Sequence, residues 1–411
     1  MDRRSLAKLR RELEEFATYL TEGLGRQERR AALMQYISGL LLEGERKAIA
    51  PMAARMTEEG DAEALRQRLQ QAVVVAKWDS SIVFERLARK LQTSLPKLEA
   101  FVIDDTGFPK QGEHSVGVAR QYSGTLGRVD RCQVAPSLHV SSERHSGCIG
   151  MRLYLPESWG CDEKRRAKSG VPDDVTFQRK WQIALELIDQ AREWGLPDYV
   201  VLADSAYGEV GDFRDGLQTR GLSYVVGIPS AISVWPPGAE PKVPAYNGRG
   251  RPPSRARAEQ SPVSVGELVQ QARFRKVSWR MGSKGIQSAR FAALRVRTAH
   301  GWTKSVPPGD EQWLLIEHTA SEKRPYKFYL SNLRPDTSTK SLVRFAKMRW
   351  RVERDYRELK EELGLDHFEG RTWSGFHHHA ALCCAAHAFL AIRKALSPPI
   401  EDSLDLAASA T

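Results

Sequence analysis

Apolar residues in the first part of the chain recur at helical spacing. Leu6, Leu9 and Leu13 fall on one face of a predicted helix, and the same spacing returns around Leu65. The segment is mixed in charge and has almost no strand signal. Residues 1–95 are therefore predicted to form a small helical N-terminal domain.

The pattern changes near residue 98, where apolar runs become short and end in acids. The run LEAFVIDDTGFPKQG is typical of a buried strand that enters a loop, and PDYVVLADSAYG repeats this pattern further along. Two more strand-like runs and a helix over about residues 176–194 lie between them. Such alternation of strands and helices predicts a mixed α/β domain.

A third pattern begins near residue 230. A loop rich in Pro, Gly and Arg precedes several strand-like runs, which predicts a β-rich insertion with basic loops. The segment SLVRFAKMRWRVERDYRELKEELG then predicts one long amphipathic helix that ends at Gly364, and an apolar helix follows it. The predicted divisions are a helical domain (1–95), two core segments (96–229 and 323–397), the insertion between them (230–322) and a tail (398–411).

Composition narrows the choice of partner. A chain of 411 residues fits two or three domains, and its net charge of +11 favours a polyanion, nucleic acid before an acidic membrane. No apolar run is long enough to cross a bilayer and the N-terminus has no signal core, so we expect a cytoplasmic protein without membrane contact. The five cysteines lack CxxC spacing, which indicates neither a disulfide framework nor a zinc site.

Three acids are placed where they suit metal chemistry. Asp104 and Asp204 each end an apolar strand-like run, and Glu353 lies on the amphipathic helix. Burying an acid is costly unless it is paired or binds a cation, and carboxylate oxygens suit Mg²⁺ or Mn²⁺. Two such ions would clamp a phosphodiester during in-line displacement. The alternative is that each acid caps a helix or terminates a strand as a turn residue.

Basic residues accompany Glu353 at helical spacing. Arg349, Glu353, Arg357 and Lys360 share one face of the predicted helix. A carboxylate with bases at this spacing can bind metal while the bases hold phosphate groups. An exposed series of ordinary salt bridges would produce the same pattern.

Several long segments closely resemble bacterial insertion-sequence transposases of the DDE superfamily, in particular insertion-sequence family 701, a relative of the family 4 group. The resemblance runs from about residue 99 to 390. The segments that carry it are VIDDTGFPKQGEHSVGVARQYSGTLGRVDRCQV, LPESW, VVLADSAYGE, FYLSNL and RWRVERDYRELKEELGLDHFEGRTWSGFHHH.

The resemblance implies an α/β fold with an RNase H-like catalytic core and a β-rich insertion. The helical N-terminal domain is expected to bind DNA at the terminal repeats, and the alternative is a packing or dimerisation module. The resemblance also implies a transposase that binds the terminal inverted repeats of its element as a homodimer, cleaves double-stranded DNA and joins the 3′ ends to a target. Two Mg²⁺ ions, or Mn²⁺, would serve as cofactors, and the protein would act in the cytoplasm at the bacterial nucleoid. The alternatives are an RNase H-like nuclease without strand transfer and a catalytically silent DNA-binding protein derived from a transposase.

The resemblance also assigns residues. Asp104, Asp204 and Glu353 would be the catalytic metal ligands, and Asp105 is the alternative first aspartate because the family motif aligns on either acid. Family 4 relatives carry Tyr, Arg, Glu and Lys at fixed spacing, and Arg349, Glu353 and Lys360 satisfy the last three places. Ala346 occupies the place of the tyrosine, and Tyr356, one turn after the glutamate, is a substitute candidate.

Other basic residues are candidate DNA contacts. Lys110 follows the first aspartates in glycine-rich sequence, where phosphate can approach. Arg249 and Arg251 lie in a GRGRPP segment, which is typical of a loop that enters the minor groove but also of a plain linker. The sequence His377-His378-His379 is interpreted as surface and groove residues near DNA rather than metal ligands, because consecutive helical residues point in different directions.

Overall fold

The computed structural model describes residues 2–57, 61–239, 245–252, 261–282, 285–299, 309–319 and 326–396. The predicted tail (398–411) lies outside these ranges. The α-helices are α1 (Arg3–Thr21), α2 (Gln27–Leu41), α3 (Ile49–Met56), α4 (Ala62–Gln70), α5 (Ser80–Ser94), α6 (Glu157–Gly160), α7 (Glu163–Lys168), α8 (Lys180–Glu193), α9 (Ser205–Gly208), α10 (Gly211–Thr219), α11 (Thr339–Met348), α12 (Trp350–Arg357) and α13 (Trp373–Leu396).

The strands are β1 (Ala100–Pro109), β2 (Ala119–Ser123), β3 (Arg128–Ser141), β4 (Ser146–Met151), β5 (Val200–Ala203), β6 (Tyr224–Ile228), β7 (Ser233–Trp235), β8 (Val263–Ser264), β9 (Arg275–Gly282), β10 (Gly285–Thr298), β11 (Gln312–His318) and β12 (Tyr326–Ser331). Two π-helical turns, Gln71–Val75 and Glu358–Glu362, and a 3₁₀ turn, Glu267–Gln271, complete the described elements. None of the described helices is both long and apolar enough to cross a membrane. The α/β class predicted from the sequence is confirmed.

The described residues form two compact units. The first contains those of Met1–Glu99, Ile103–Pro197 and Arg351–Thr411, and the second contains Ala100–Val102 and those of Asp198–Trp350. Strand β1 contributes its first three residues to the second unit and the rest to the first.

The first unit is built around β3. This strand pairs antiparallel with β2 over its first residues and with β4 over its last residues, and β1 is its other neighbour in the sheet. Every residue of β3 from Cys132 to Ser141 is buried because helices cover the sheet: α8 packs on β3, while α5 and α13 pack on β4. Two glycines of β4 permit this approach, since a Cβ at Gly147 would come within 2.8 Å of Leu91 and one at Gly150 within 3.1 Å of Leu187.

Helix α13 is the centre of the helical layer in this unit. Its apolar residues surround the whole axis, and nearly all of them are buried against α1, α2, α5 and β4. The rings of Phe16 and Phe389, for example, lie 5.5 Å apart between α1 and α13. Residues 1–95 were predicted to form a helical domain; their described part contains α1 to α5, and α1, α2 and α5 pack onto α13.

The second unit is a sheet with short helices. Strand β5 lies beside Ala100–Val102 and runs parallel to β6, and antiparallel strands β12, β11 and β10 continue the sheet. Strand β10 is long enough to pair with β11, β9 and β7 along its length. The described part of residues 230–322, which were expected to form a β-rich insertion, contains β7 to β11.

The structure differs from the prediction in two elements. Strand β1 continues to Pro109, so Asp104 and Asp105 lie inside it and not at its end. The pairing persists because Lys110 N–H still donates to Arg131 O on β3, at 3.0 Å. The long helix predicted before Gly364 is interrupted at Arg349 and ends in the π-helical turn Glu358–Glu362.

Candidate active site

The two adjacent acids of β1 occupy different surroundings. Both are half-buried, and successive side chains of a strand point to opposite faces of the sheet. The Asp105 carboxylate accepts a hydrogen bond from the Lys180 ammonium group on α8. The Asp104 Oδ1 atom accepts a hydrogen bond from the backbone N–H of Asp105, at 2.7 Å. The alternative first aspartate is thus paired with a lysine, whereas Asp104 lies on the other face.

The position of Asp104 follows from the pairing of β1 with β3. Glu99 N–H donates to Ser141 O at one end of the pair and Lys110 N–H donates to Arg131 O at the other, both at 3.0 Å. Counting inward from these two hydrogen bonds places Asp104 beside Ser137 or its neighbour Pro136. Residues directly opposite in an antiparallel pair share a face of the sheet.

Helix α12, which carries Glu353, is fastened to the same two strands. Tyr356 and Ser137 share a hydrogen bond of 2.7 Å between their hydroxyl oxygens. Just beyond the helix, the Lys360 ammonium group donates to Gly107 O at 2.8 Å and to Thr125 Oγ1 at 3.0 Å. Because Glu353 precedes Tyr356 by one turn on this helix, the exposed glutamate is carried on an element anchored beside Asp104.

Asp204 has the capping role that was the alternative to metal binding. It follows β5 directly, and its Oδ1 atom accepts from the backbone N–H groups of Ala206 at 3.0 Å and Tyr207 at 3.4 Å. Gly227 on β6 allows this turn to approach closely, since a Cβ there would come within 3.1 Å of Ser205 N. A capped carboxylate is held in one orientation, which is compatible with binding a cation as well.

The predicted basic residues divide into buried and exposed groups. Lys110 donates to Phe368 O at 2.8 Å, and Lys360 is bonded as described above. Burial lowers the pKa of both ammonium groups. Arg357, Arg249 and Arg251 are exposed. The two lysines therefore stabilise the protein's own backbone in this structure, and the three arginines project into solvent.

The shared helical face expected for Arg349, Glu353, Arg357 and Lys360 is only partly present. Arg349 lies at the break between α11 and α12, and Lys360 lies in a π-helical turn. A helix break and a π-helical turn each change the angle between successive side chains about the helix axis. The four residues therefore do not share one face as they would on a regular helix. Glu353 and Arg357 remain on one face of α12.

The interpretation of the three histidines as surface residues is wrong. His377, His378 and His379 are 9%, 2% and 2% exposed, respectively. His378 stacks on Trp78 and contacts the carbonyl oxygens of Val73 and Trp78 at 2.9 and 2.8 Å, and His379 Nδ1 lies 2.8 Å from the Tyr36 hydroxyl. They are buried because α13 is enclosed on every side.

Two tryptophans of the insertion contact neighbouring residues of the protein. Trp279 meets Phe291 edge-on at 5.7 Å between ring centroids, and Trp313 donates to Arg334 O at 3.0 Å. Trp279 therefore packs within the insertion, and Trp313 bonds to the chain that follows it.

A buried polar cluster under α12 was not predicted from the sequence. His139 lies between Asp355, 2.8 Å from its Nδ1, and Ser137, 3.0 Å from its Nε2. Burial alone would lower the pKa of His139, but the neighbouring Cys148 and Asp355 outweigh burial and raise it to about 10. A signal was present: Asp355 occupies an apolar helical position between Val352 and Leu359, and the histidine interrupts an apolar strand.

The donor chemistry of the predicted site suits a hard cation. Asp104, Asp204 and Glu353 supply only carboxylate oxygens, which Mg²⁺ and Mn²⁺ prefer over nitrogen or sulfur ligands. Among the residues that the structure describes, no group of three His, Cys, Asp or Glu side chains is arranged to hold a metal ion.

Comparison with known proteins identifies the family to which this chain belongs. The sequence model described as "DDE superfamily endonuclease" matches residues 19–286, more than half of the chain. The chain is also 30% identical over 166 residues to the probable transposase for insertion sequence element IS701 of Microchaete diplosiphon. That match spans 40% of this chain and 41% of the relative. The family confirms the RNase H-like fold class implied by the resemblance, and the chain belongs to the DDE superfamily of endonucleases.

Proposed function

We propose that this enzyme is a DDE transposase that binds the terminal inverted repeats of an insertion sequence, cleaves them and transfers their 3′ ends to target DNA. Its family and its similarity to a probable transposase support this proposal. The observation that carries it is the anchoring of the Glu353 helix to β1 and β3 beside Asp104, through Tyr356 and Lys360.

Asp104, Asp204 and Glu353 are the proposed ligands of two Mg²⁺ or Mn²⁺ ions. Such ions, when bound, supply the Lewis acid that phosphoryl transfer to water or a 3′-hydroxyl requires. The protein contributes the orientation of the carboxylates. Backbone N–H groups hold Asp204 and Asp104, and the hydrogen bonds of α12 hold the helix of Glu353. Asp105, which pairs with Lys180, acts in this proposal as a support for the strand.

The remaining predicted residues contact DNA in this proposal. Exposed Arg357 and half-exposed Arg349 are suited to bind phosphate groups beside Glu353. Lys110 and Lys360 place two positive charges next to β1 while fixing its conformation. Arg249 and Arg251, on exposed turns, are proposed to enter the minor groove of double-stranded DNA.

The assembly proposed is a homodimer that holds two transposon ends at the bacterial nucleoid. The N-terminal helices are proposed to bind the terminal repeats. The net charge of +11 suits a polyanionic partner of this kind.

Substitution of Glu353 by Gln tests the function. The amide is nearly the same size but lacks the negative charge that a divalent cation requires. We expect Glu353→Gln to abolish cleavage and joining of DNA that carries the element's ends, while binding of that DNA is unchanged. Gel assays of cleavage, joining and mobility shift measure these outcomes. Glu361→Gln, an exposed change in the following π-helical turn, is the matched control and should behave as wild type.

The products distinguish the alternatives. Joined products from the wild-type enzyme support a transposase, and nicks without joining indicate an RNase H-like nuclease. DNA binding with no metal-dependent cleavage would identify a silent DNA-binding protein. Full activity of Glu353→Gln would refute the assignment of this residue.

A further inference from the structure

The hairpin formed by β2 and the start of β3 has one face open to solvent. Tyr122 lies directly opposite Val129, and Arg120 lies directly opposite Arg131. Residues directly opposite one another share a face of a sheet, as do residues two apart on one strand. Tyr122 is 63% exposed, Val129 is 55% exposed, and both arginines are exposed. These four residues form the outer face of the hairpin, an apolar pair next to a pair of cations.

The hairpin is fastened to the strand that carries Asp104. Ser123 is buried against Gly107 of β1, where a Cβ would collide with the serine Oγ atom. At the tip of the hairpin, Thr125 Oγ1 donates to Gly107 O at 3.3 Å and accepts from the Lys360 ammonium group at 3.0 Å. Gly107 follows Asp104 by three residues, which is about 10 Å along a strand. The hairpin is therefore held in place a short distance from the candidate site.

The charge of the outer face favours a polyanion over another protein. Like charges directly opposite one another destabilise a strand pair, so the two arginines do not stabilise the hairpin by facing each other. Arg131 contacts the Glu113 carboxylate at 2.5 Å, but both side chains are well exposed, and such a pair contributes little. Phosphate groups would relieve the repulsion between Arg120 and Arg131. A second copy docked here about a twofold axis would bring its own arginine pair against this one and increase it.

We propose that the outer face binds an unpaired stretch of DNA strand, with Arg120 and Arg131 on its phosphate groups and Tyr122, beside Val129, stacked on a base. The inference rests on the proposed function, because it takes DNA as the partner of this unit. Aromatic side chains beside cations are the means by which proteins hold single strands, since every base has a face that can stack. One base stacked on one ring contributes about 5- to 150-fold to affinity.

Fluorescence anisotropy of the full-length protein with a short labelled oligothymidine tests the inference. EDTA is included so that no cleavage accompanies binding. We expect Tyr122→Ala to bind the oligothymidine about 5- to 150-fold more weakly, whereas Tyr122→Phe keeps the ring and should bind as wild type does. Tyr19→Ala, which removes an exposed tyrosine from α1, is the matched control and should also bind as wild type. Equal oligothymidine affinity of Tyr122→Ala and wild type would overturn the inference.

A fully paired duplex separates stacking from charge. Its bases are already stacked on one another, so Tyr122→Ala should bind the duplex as wild type does. Arg120→Gln should weaken binding to both kinds of DNA, and should lower the slope of log affinity against log salt concentration by about 0.7 for the oligothymidine and about 0.9 for the duplex. Equal losses of duplex and oligothymidine affinity in Tyr122→Ala would show that the ring does not act by stacking, and would overturn the inference.

Two further measurements complete the test. Light scattering reports the oligomeric state, and a change of that state in Tyr122→Ala with unchanged oligothymidine affinity would assign the outer face to a second copy of the chain and overturn the inference. Wild-type protein that binds neither kind of DNA overturns the proposed function together with the inference. Wild-type protein that cleaves and joins DNA, alongside a Tyr122→Ala variant of equal oligothymidine affinity, overturns the inference alone.

Discussion

The three consecutive histidines of α13 show how packing determines the role of a side chain. His377 accepts from Leu153 N–H at 3.2 Å and faces Trp373 O at 2.9 Å, and His379 is held by Tyr36 and by backbone carbonyls. These partners satisfy neutral rings. Burial lowers the pKa of His377 and of His379 to about 4 in each case.

These depressed pKa values predict a loss of stability in mild acid. The unfolded chain binds a proton at each histidine near pH 6.5, whereas the folded chain does so only near pH 4. The unfolded state therefore binds more protons in this window, and the free energy of unfolding falls as the pH drops from about 6.5 to 4. Each histidine contributes about 1.4 kcal/mol per pH unit at most. Urea unfolding at pH 7 and pH 5 measures the change.

Replacing one buried histidine measures its contribution to the pH dependence of the unfolding free energy. His377→Gln should reduce the pH dependence of the unfolding free energy by about one proton, while the exposed His114→Gln should leave it unchanged. The same pH dependence in His377→Gln as in wild type would contradict the argument.

The sequence predicts which residues can act chemically better than it predicts which groups will surround them in the fold. The pattern singled out Asp104, Asp204 and Glu353, whose roles as ligands remain predictions, and it offered both Asp104 and Asp105 as the first acid. Only the structure shows that their surroundings differ, because Lys180 comes from a distant helix to pair with Asp105. The burial of the histidines depends likewise on helices far away in the chain.

At the scale of secondary-structure elements, the helix that carries Glu353 has one end that was predicted and one break that was not. Gly364 was predicted to end the glutamate helix, and it does so with a φ of +68°. Gly364 N–H donates to Lys360 O at 3.1 Å and Leu365 N–H donates to Leu359 O at 2.8 Å, which satisfies the last carbonyl groups. The break at Arg349 was not predicted, because the apolar stripe of α11 and α12 continues across it.

Gly364→Ala should destabilise the fold by about 2–4 kcal/mol, from the left-handed backbone and from overpacking. Its new Cβ would come within 2.4 Å of Lys47 Cβ, and the buried Lys47 is held by a hydrogen bond to Leu40 O at 3.0 Å. Gly221→Ala is the control, because Gly221 has a φ of +72° with nothing within 4 Å of a new Cβ, so only the backbone cost of about 1 kcal/mol applies. Urea unfolding of both variants measures the difference, and equal losses would exclude the crowding at Lys47.

At the scale of the whole molecule, positive charge determines which partner the protein can bind. On the β9–β10 ribbon, exposed Lys276 lies directly opposite exposed Arg290, with Arg275 next to it. Like charges opposite one another destabilise a strand pair, and a polyanion would relieve this repulsion. The ribbon therefore adds a candidate DNA contact to the residues that the sequence indicated.

Salt dependence of DNA binding tests this ribbon. Each phosphate contact adds about 0.9 to the slope of log affinity against log salt concentration. We expect Lys276→Gln to lower that slope by about 1. Arg334→Gln, which removes an exposed arginine paired with Asp336, should leave it unchanged. An unaltered slope for Lys276→Gln would exclude the ribbon from the DNA contact.

The covering of α13 by the first 95 residues limits how this enzyme can evolve. Many DNA-processing proteins could in principle gain a new target by exchanging one recognition module for another. Here the amino-terminal helices supply partners for His378 and His379 and close over Phe389. A recombination event that replaced them would leave the longest described helix of the first unit without its lining, so these helices cannot be exchanged as an independent module.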